Sequence, residues 1–250
     1  MAILESSTNP FKGVIPKPQA LPEDPQIFDS MLQHSIEEWR FQGLLVIWLE
    51  IPLGKPDLIP VAIKSGFDFH HSGENYLMLT YCIVPNSFIP PYATHYIGAG
   101  GVVLNNKDEL LVVCERYRRP GQPPFYKLPG GALTPSENLA EGVVREVLEE
   151  TGVQATFDSL VCFRHMHSYR YGKSDIYFVC RLRPLTEDIT MQAEEIEDCQ
   201  WMPVHEFLNS EETSTFNKSI VKAALESEGI RPIQIKGLDD AGREFFMPAI

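Results

Sequence analysis

Positive charge is scarce in this sequence. Lys and Arg number 21 against 34 Asp and Glu, giving a formal net charge of −13. The acidic excess holds on both sides of residue 92, so neither side hides a basic domain. That balance argues against long nucleic acids held by bulk electrostatics and against an anionic membrane surface. Long apolar runs are also missing. The longest, Leu44 to Leu49, falls far short of the ~20 residues that a membrane span requires. No charged-then-apolar leader opens the chain. Cysteine is sparse: the 5 residues, Cys82, Cys114, Cys162, Cys180 and Cys199, are odd in number and show no CxxC spacing. Cys82, Cys114 and Cys180 lie in apolar, strand-like runs and read as buried reduced thiols. A soluble protein in a reducing, cytoplasmic compartment is the expectation.

What is present is ordinary for a folded protein: 250 residues, 44% hydrophobic and 22% charged. Pro10, Pro16, Pro18, Pro22 and Pro25 predict an extended arm over residues 1–26. The spacing of Met31, Leu32, Ser35, Ile36 and Trp39 predicts a helix from Asp29 to Arg40, capped by Asp29. Strands are expected at 44–51 and 76–84, with a short helix at 57–65 between them. Pro85, Pro90 and Pro91 mark a stiff connector and the best domain boundary, separating 27–91 from 92–228. Beyond it, strands are expected at 97–104, 109–115, 126–128, 161–167, 176–182 and 200–201, with helices at 138–151 and 219–228. Residues 229–250 read as a tail without a clear period. Strands interleaved with helices predict a mixed sheet flanked by helices.

The stretch that carries chemistry is KLPGGALTPSENLAEGVVREVLEETGV, residues 127–153. Asn138 and Glu141 have capping-box spacing at a helix start, and Gly152 stands where a left-handed residue ends a helix. Leu139, Val143 and Val147 form the apolar face. Glu146, Glu149 and Glu150, at offsets of three and four, share another. Crowded carboxylates raise one another's pKa. A solvated surface tolerates them, whereas Mg²⁺ or Mn²⁺ uses them as hard oxygen ligands. Tandem Gly130-Gly131 permits positive φ and close backbone approach.

These residues resemble the signature of the Nudix hydrolases, GX5EX7REUXEEXGU with U aliphatic. Gly131, Glu137, Arg145, Glu146, Val147, Glu149, Glu150, Gly152 and Val153 fill every specified position. The resemblance implies an α/β/α sandwich with a mixed sheet and a divalent-metal-dependent pyrophosphohydrolase. It implies Gly130, Glu146, Glu149 and Glu150 as metal ligands, Arg145 as the residue orienting the glutamates, and Glu137 as a brace for the loop or a water-mediated ligand. The general base lies within the box or on the later acidic loop, here Glu194 or Glu195. A solvated acidic turn is the plainer reading of that loop. Arg116 and Arg118 follow a strand and either meet a substrate phosphate or offset surrounding acid. Phe125, Tyr169 and Tyr171 either stack on a base or pack.

The resemblance extends beyond the box. Residues 27–91, with EEWR at 37–40 and YLML at 76–79, are similar to the small α/β pre-Nudix domain of one subgroup, expected to pack on the second domain or to support a homodimer. The segment from Gly172 to Cys180, with Asp175, resembles that subgroup's strand after the box. These features imply a small nucleoside diphosphate substrate, ADP-ribose or NADH, releasing AMP. Other flags point elsewhere. ADP-ribose members often carry a proline about 16 residues after the box, where this chain has Ser168-Tyr169-Arg170-Tyr171. A tyrosine there is associated with dinucleoside polyphosphate hydrolases. A non-catalytic nucleotide-binding module with the same fold is the further alternative, and the intact carboxylate set weighs against it.

Overall fold

The structure, a computed structural model, describes residues 2–238 and 242–248. Its contacts divide the chain into two units, Met1–Ala93 and Thr94–Ile250.

In the first unit β1 (Ser6–Thr8), β2 (Gly13–Pro16), β3 (Val46–Pro52), β4 (Asp68–Ser72) and β5 (Tyr76–Cys82) form one sheet in the order β1-β2-β3-β5-β4. The expected proline-rich arm is therefore partly corrected. Its backbone is extended only in part, with a 3₁₀ turn at Pro18–Ala20, and β1 and β2 pair with each other while β2 pairs with β3. The prolines allow this because Pro16 ends β2, where a strand loses little by lacking an N–H. Helix α1 (Pro25–Phe41) begins four residues before the expected start. Asp24, not Asp29, is its cap: the Asp24 carboxylate accepts from the N–H groups of Gln26 at 2.8 Å and Ile27 at 3.0 Å, and Pro25 takes the first helical position. The helix buries Phe28, Leu32, Ser35, Ile36 and Trp39 against β3 residues Ile47, Leu49 and Ile51. Ser35 is tolerated there because its hydroxyl accepts from the Leu4 N–H at 2.9 Å and donates to the Met31 carbonyl at 2.6 Å. Helix α2 (Leu58–Lys64) adds Leu58 and Ala62 to the same core.

In the second unit β6 (His95–Val103), β7 (Glu109–Glu115), β8 (Gly130–Ala132), β9 (Ala155–Met166), β10 (Ser174–Pro184) and β11 (Ile196–Pro203) carry three helices, α3 (Leu139–Thr151), α4 (Val204–Asn209) and α5 (Thr215–Glu226). The main sheet runs β8-β6-β10-β9, with β6 parallel to β10 and the other neighbours antiparallel. β7 and β11 form a second antiparallel pair. Residues 126–128, expected as a strand, reduce to a bridge between Lys127 and Val113, and the Gly101 N–H bonds the Pro129 carbonyl nearby at 2.9 Å.

Alternation along the strands sorts the core into two layers. Ala99, Val103, Leu111, Cys180 and Leu182 pack with Leu139, Val143 and Val147 of α3. Their sequence neighbours Val102, Leu110, Val112 and Val179 pack with Phe207 of α4 and with Ile220, Val221 and Ala224 of α5. The unit is thus an α/β/α sandwich around a mixed sheet. All five cysteines are free thiols.

Two expectations fail at the start of α3. Asn138 occupies the cap position but its side chain makes no capping bond. The carboxylate of Glu244, from the segment read as an aperiodic tail, accepts from the Leu139 N–H and, at 3.2 Å, the Ala140 N–H. Described residues of that segment pair with one another and with β9. β12 (Arg231–Ile233) pairs with β13 (Phe245–Met247), and Ile230 bridges Leu160 of β9. A carboxylate at a helix N-terminus satisfies orphan amides and meets the positive end of the dipole. Glu244→Ala is expected to cost about 1 kcal/mol, lowering Tm by about 2–4 °C, while Asn138→Ala leaves Tm nearly unchanged. Thermal unfolding of both variants checks the assignment, and a larger loss for Asn138→Ala would reverse it.

Candidate active site

Tandem glycines open the site. Gly130 has φ +148°, and a Cβ there would stand 2.2 Å from the Ala99 carbonyl oxygen and 2.6 Å from Gly100 Cα. Backbone cannot yield that space, so only glycine fits. A Cβ on Gly131 would fall 2.6 Å from a carboxylate oxygen of Glu146. The absent side chains thus let α3 bring its acids against β8. The Gly130 N–H donates to Glu150 Oε2 at 2.8 Å. Gly152, at φ +73°, ends α3 in the left-handed conformation as expected.

Arg145 organises the acids. Its Nε donates to Glu137 Oε1 at 2.6 Å and its Nη2 to Glu137 Oε2 at 2.9 Å, a bidentate pair. Its Nη1 reaches Glu146 Oε1 at 2.9 Å and Glu149 Oε2 at 2.8 Å. Glu137 also accepts from the Thr134 N–H at 2.9 Å. Arg145 and that amide hold the Glu137 carboxyl down to about 2. Burial acts oppositely on the other acids. It raises the Glu146 carboxyl, and it lifts Glu150, only 6% exposed, to about 7. Lys127 and the Gly130 N–H oppose the second shift.

Glu146 and Glu150 open into a cavity of about 550 Å³, which Gly130, Gly131, Glu115, Lys127 and Glu195 also line. Tyr96, Phe125, Arg164, Tyr169, Arg170, Asp175, Tyr177 and Phe216 line the cavity too. Of the residues singled out from sequence, the structure thus gathers Gly130, Glu146, Glu150, Glu195, Phe125, Tyr169 and Asp175. Arg145 stands behind the lining. Glu149 is held by Arg145, its side chain half exposed at 52%, and Glu194 is exposed; neither lines the cavity. Arg116 and Arg118 are also absent from the lining. Arg116 Nε donates to the Ala193 carbonyl at 2.9 Å and its N–H to the Glu195 carbonyl at 2.8 Å, while Arg118 pairs with Glu197. Both arginines fasten the loop that carries Glu195. Tyr171 is 90% exposed and lies outside as well.

Sequence reasoning missed Arg164, Arg170, Tyr96 and Tyr177. Tyr177 was within reach, since it lies two residues from Asp175 and a strand points both to one face. Arg164 comes from β9, facing Tyr177 across the strand pair, a register that no local pattern announces.

The oxygen donors present suit a hard divalent cation. Glu146 and Glu150 are carboxylates whose burial disfavours charge and to which a cation would restore it. Among the described residues, no three His, Cys, Asp or Glu side chains stand ready as a metal cluster; Glu149 is engaged by Arg145 instead.

Fold and site together define an α/β/α sandwich protein whose chemistry centres on a glutamate-rich helix packed behind a glycine pair. Residues 4–83 match the family described as the Nudix hydrolase domain and residues 94–224 the NUDIX domain. Nudix hydrolase 8 of Arabidopsis thaliana is 43% identical over 209 residues, 83% of this chain and 57% of that protein. Nudix hydrolase 2 of the same plant is 36% identical over 98% of this chain and 90% of its own length. The human protein named nucleoside diphosphate-linked moiety X motif 6 is 33% identical over 81% of this chain and 64% of its own. The chain belongs to the Nudix hydrolase family. It spans little more than half of Nudix hydrolase 8 but most of Nudix hydrolase 2. Among the described residues, no helix is long and apolar enough to cross a membrane.

The Glu137–Arg145 pair has a pH signature. The folded-state pKa of Glu137 lies below its ordinary value, so its stabilisation is present above pH ~4.5 and lost as pH falls through about 2. Glu137→Gln is expected to cost about 1 kcal/mol near neutrality after solvent screening. Its Tm deficit relative to the parent should shrink between pH ~4.5 and 2. A deficit independent of pH in thermal scans would show that charge pairing is not the cause.

Proposed function

We propose that the chain is a divalent-metal-dependent pyrophosphohydrolase acting on a nucleoside diphosphate linked to another moiety, with ADP-ribose or NADH as substrate and AMP as a product. The observation that carries the reading is the convergence of Glu146, Glu150 and Gly130 on one cavity behind the Arg145 clamp. The name of the human relative, which speaks of a moiety linked to a nucleoside diphosphate, supports it.

Glu146, Glu149 and Glu150, with the Gly130 carbonyl, would hold Mg²⁺ or Mn²⁺. Such an ion, when bound, neutralises the pyrophosphate and makes its phosphorus easier to attack. Every other contribution belongs to the chain. Arg145 holds Glu146 and Glu149 in place by charge-assisted bonds and is itself fixed by Glu137. Glu195, placed on the cavity by its Arg116-fastened loop, takes the proton of the attacking water at its carboxylate; exposed Glu194 is the less favoured base. Phe125 and Tyr169 offer ring faces to the adenine. Asp175 binds substrate indirectly, by holding Arg164.

A second reading, cleavage of dinucleoside polyphosphates, keeps the same acids and differs in products. Glu150→Gln is expected to lower kcat by 10²-fold or more, about 2.7 kcal/mol at the transition state, with little loss of Tm because burial already favours its neutral form. Excess EDTA should abolish turnover. Full activity in EDTA would refute metal dependence, and a diadenosine tetraphosphate kcat/KM more than tenfold above those of ADP-ribose and NADH would overturn the substrate.

A further inference from the structure

Both signs of charge line the cavity. Glu115, Glu146, Glu150 and Glu195 line it along with Lys127, whereas Arg164 and Arg170 line it from β9 and the loop that follows. Arg164 is held more firmly than an ordinary surface arginine. Its guanidinium carbon lies 5.0 Å from the ring centre of Phe216 and 5.5 Å from that of Tyr177. Its Nη2 donates to Asp175 Oδ2 at 2.6 Å, and Asp175 is 5% exposed. Carboxylate and rings together fix the plane of the group, so little conformational entropy remains to be lost on binding. Yet this anchoring leaves donors over. Arg164 Nε is the one buried side-chain nitrogen or oxygen among the described residues without a hydrogen-bond partner. Being buried, Nε is closed to a ligand, and the nitrogen left for an acceptor is Nη1, which makes no hydrogen bond among the described residues. Arg170 lies over the Tyr169 ring at 5.2 Å and adds a second arginine charge to the lining. Asp175 pairs with Arg164, and among the described residues Arg170 makes no ion pair, so its charge on the lining is not offset by a salt bridge.

A ribose offers only hydroxyls, for which a fixed, ring-packed guanidinium and a second arginine are excessive. A phosphoryl group offers the matching charge and a planar pair of acceptors. We propose that Arg164, assisted by Arg170, is a specificity-determining residue that binds a further phosphoryl group of the substrate, beyond the pyrophosphate held at the glutamates of α3. The inference rests on the reading of the cavity as a nucleoside diphosphate site. The group is either a phosphomonoester on the ribose or the far phosphates of a longer polyphosphate bridge.

Two kinds of measurement on the full chain with Mg²⁺ test this. Calorimetric binding compares AMP with adenosine 2′,5′-bisphosphate, and kinetics compare NADH, NADPH and diadenosine tetraphosphate. For a ribose phosphomonoester, the bisphosphate should bind at least tenfold more tightly than AMP, and Arg164→Gln should cut that ratio below threefold. Arg164→Lys, keeping the charge without the fork, should fall between. For a polyphosphate bridge, the two nucleotides bind alike, but Arg164→Gln lowers kcat/KM for diadenosine tetraphosphate at least tenfold more than for NADH. If Arg164→Gln does not fold, Arg170→Gln is judged by the same ratios, its side chain being free of Asp175. Discrimination unmoved in every comparison, with only Tm lowered, would overturn the proposal and leave Arg164 as the counter-ion of Asp175. A binding preference without turnover of any dinucleotide would support the anion site while refuting the hydrolase reading.

Discussion

The site depends on keeping carboxylates charged where burial disfavours charge. Glu146 and Glu150 are pushed towards their neutral forms, chiefly by loss of water. Crowded acids repel unless a positive partner stands among them, and Arg145 is that partner for three of the four glutamates. Its guanidinium divides its donors among Glu137, Glu146 and Glu149. A lysine could not do so, because a single ammonium lacks the planar fork that takes Glu137 in two parallel bonds. The clamp leaves Glu150 with one amide bond from Gly130 and a distant Lys127. Glu150 is thus the acid whose charge has the least support from the chain.

Backbone geometry serves the same constraint. β8 can approach β6 closely only because Gly130 and Gly131 lack side chains, and the space at Gly131 is filled by the Glu146 carboxylate. Gly142 gives similar room earlier on the helix, where a Cβ would stand 2.3 Å from Leu133 and 3.0 Å from a Glu137 oxygen. The loop before α3 therefore folds down on the helix and delivers Glu137 to Arg145. Val143 and Val147 hold the opposite face of α3 in the core. Acids and apolar residues on one helix are thus fixed by the same packing.

The two ends of the second unit's chemistry come from different kinds of structure. The glutamates Glu137, Glu146, Glu149 and Glu150 come from one continuous segment, in which Arg145 bonds the first three. Arg164 and the residues that hold it, Asp175, Tyr177 and Phe216, come from β9, β10 and α5, which meet only when the unit folds. The loop bearing Glu195 belongs to a third region and is tied down by Arg116 and Arg118.

The same distinction separates what was legible in the sequence from what was not. Helix α3, its apolar stripe, its glycine stop and its row of acids follow from periodicity and spacing within a few turns, because a helix makes neighbours of residues three and four apart. The strand 109–115 followed likewise from a continuous apolar run. Where a long-range partner competes with a local one, the sequence could not arbitrate. Asn138 has a good capping side chain, yet Glu244 takes the Leu139 amide from 105 residues away. Arg116 and Arg118 offer charge, yet loop carbonyls and Glu197 absorb it. Arg164 became visible only through the register of β9 against β10, which sets it opposite Tyr177 and lets Asp175 hold it. The linear order of residues was enough to specify the acid-bearing helix and its chemistry. Which charges face the cavity was settled by strand pairing and packing, because those charges come from segments far apart along the chain.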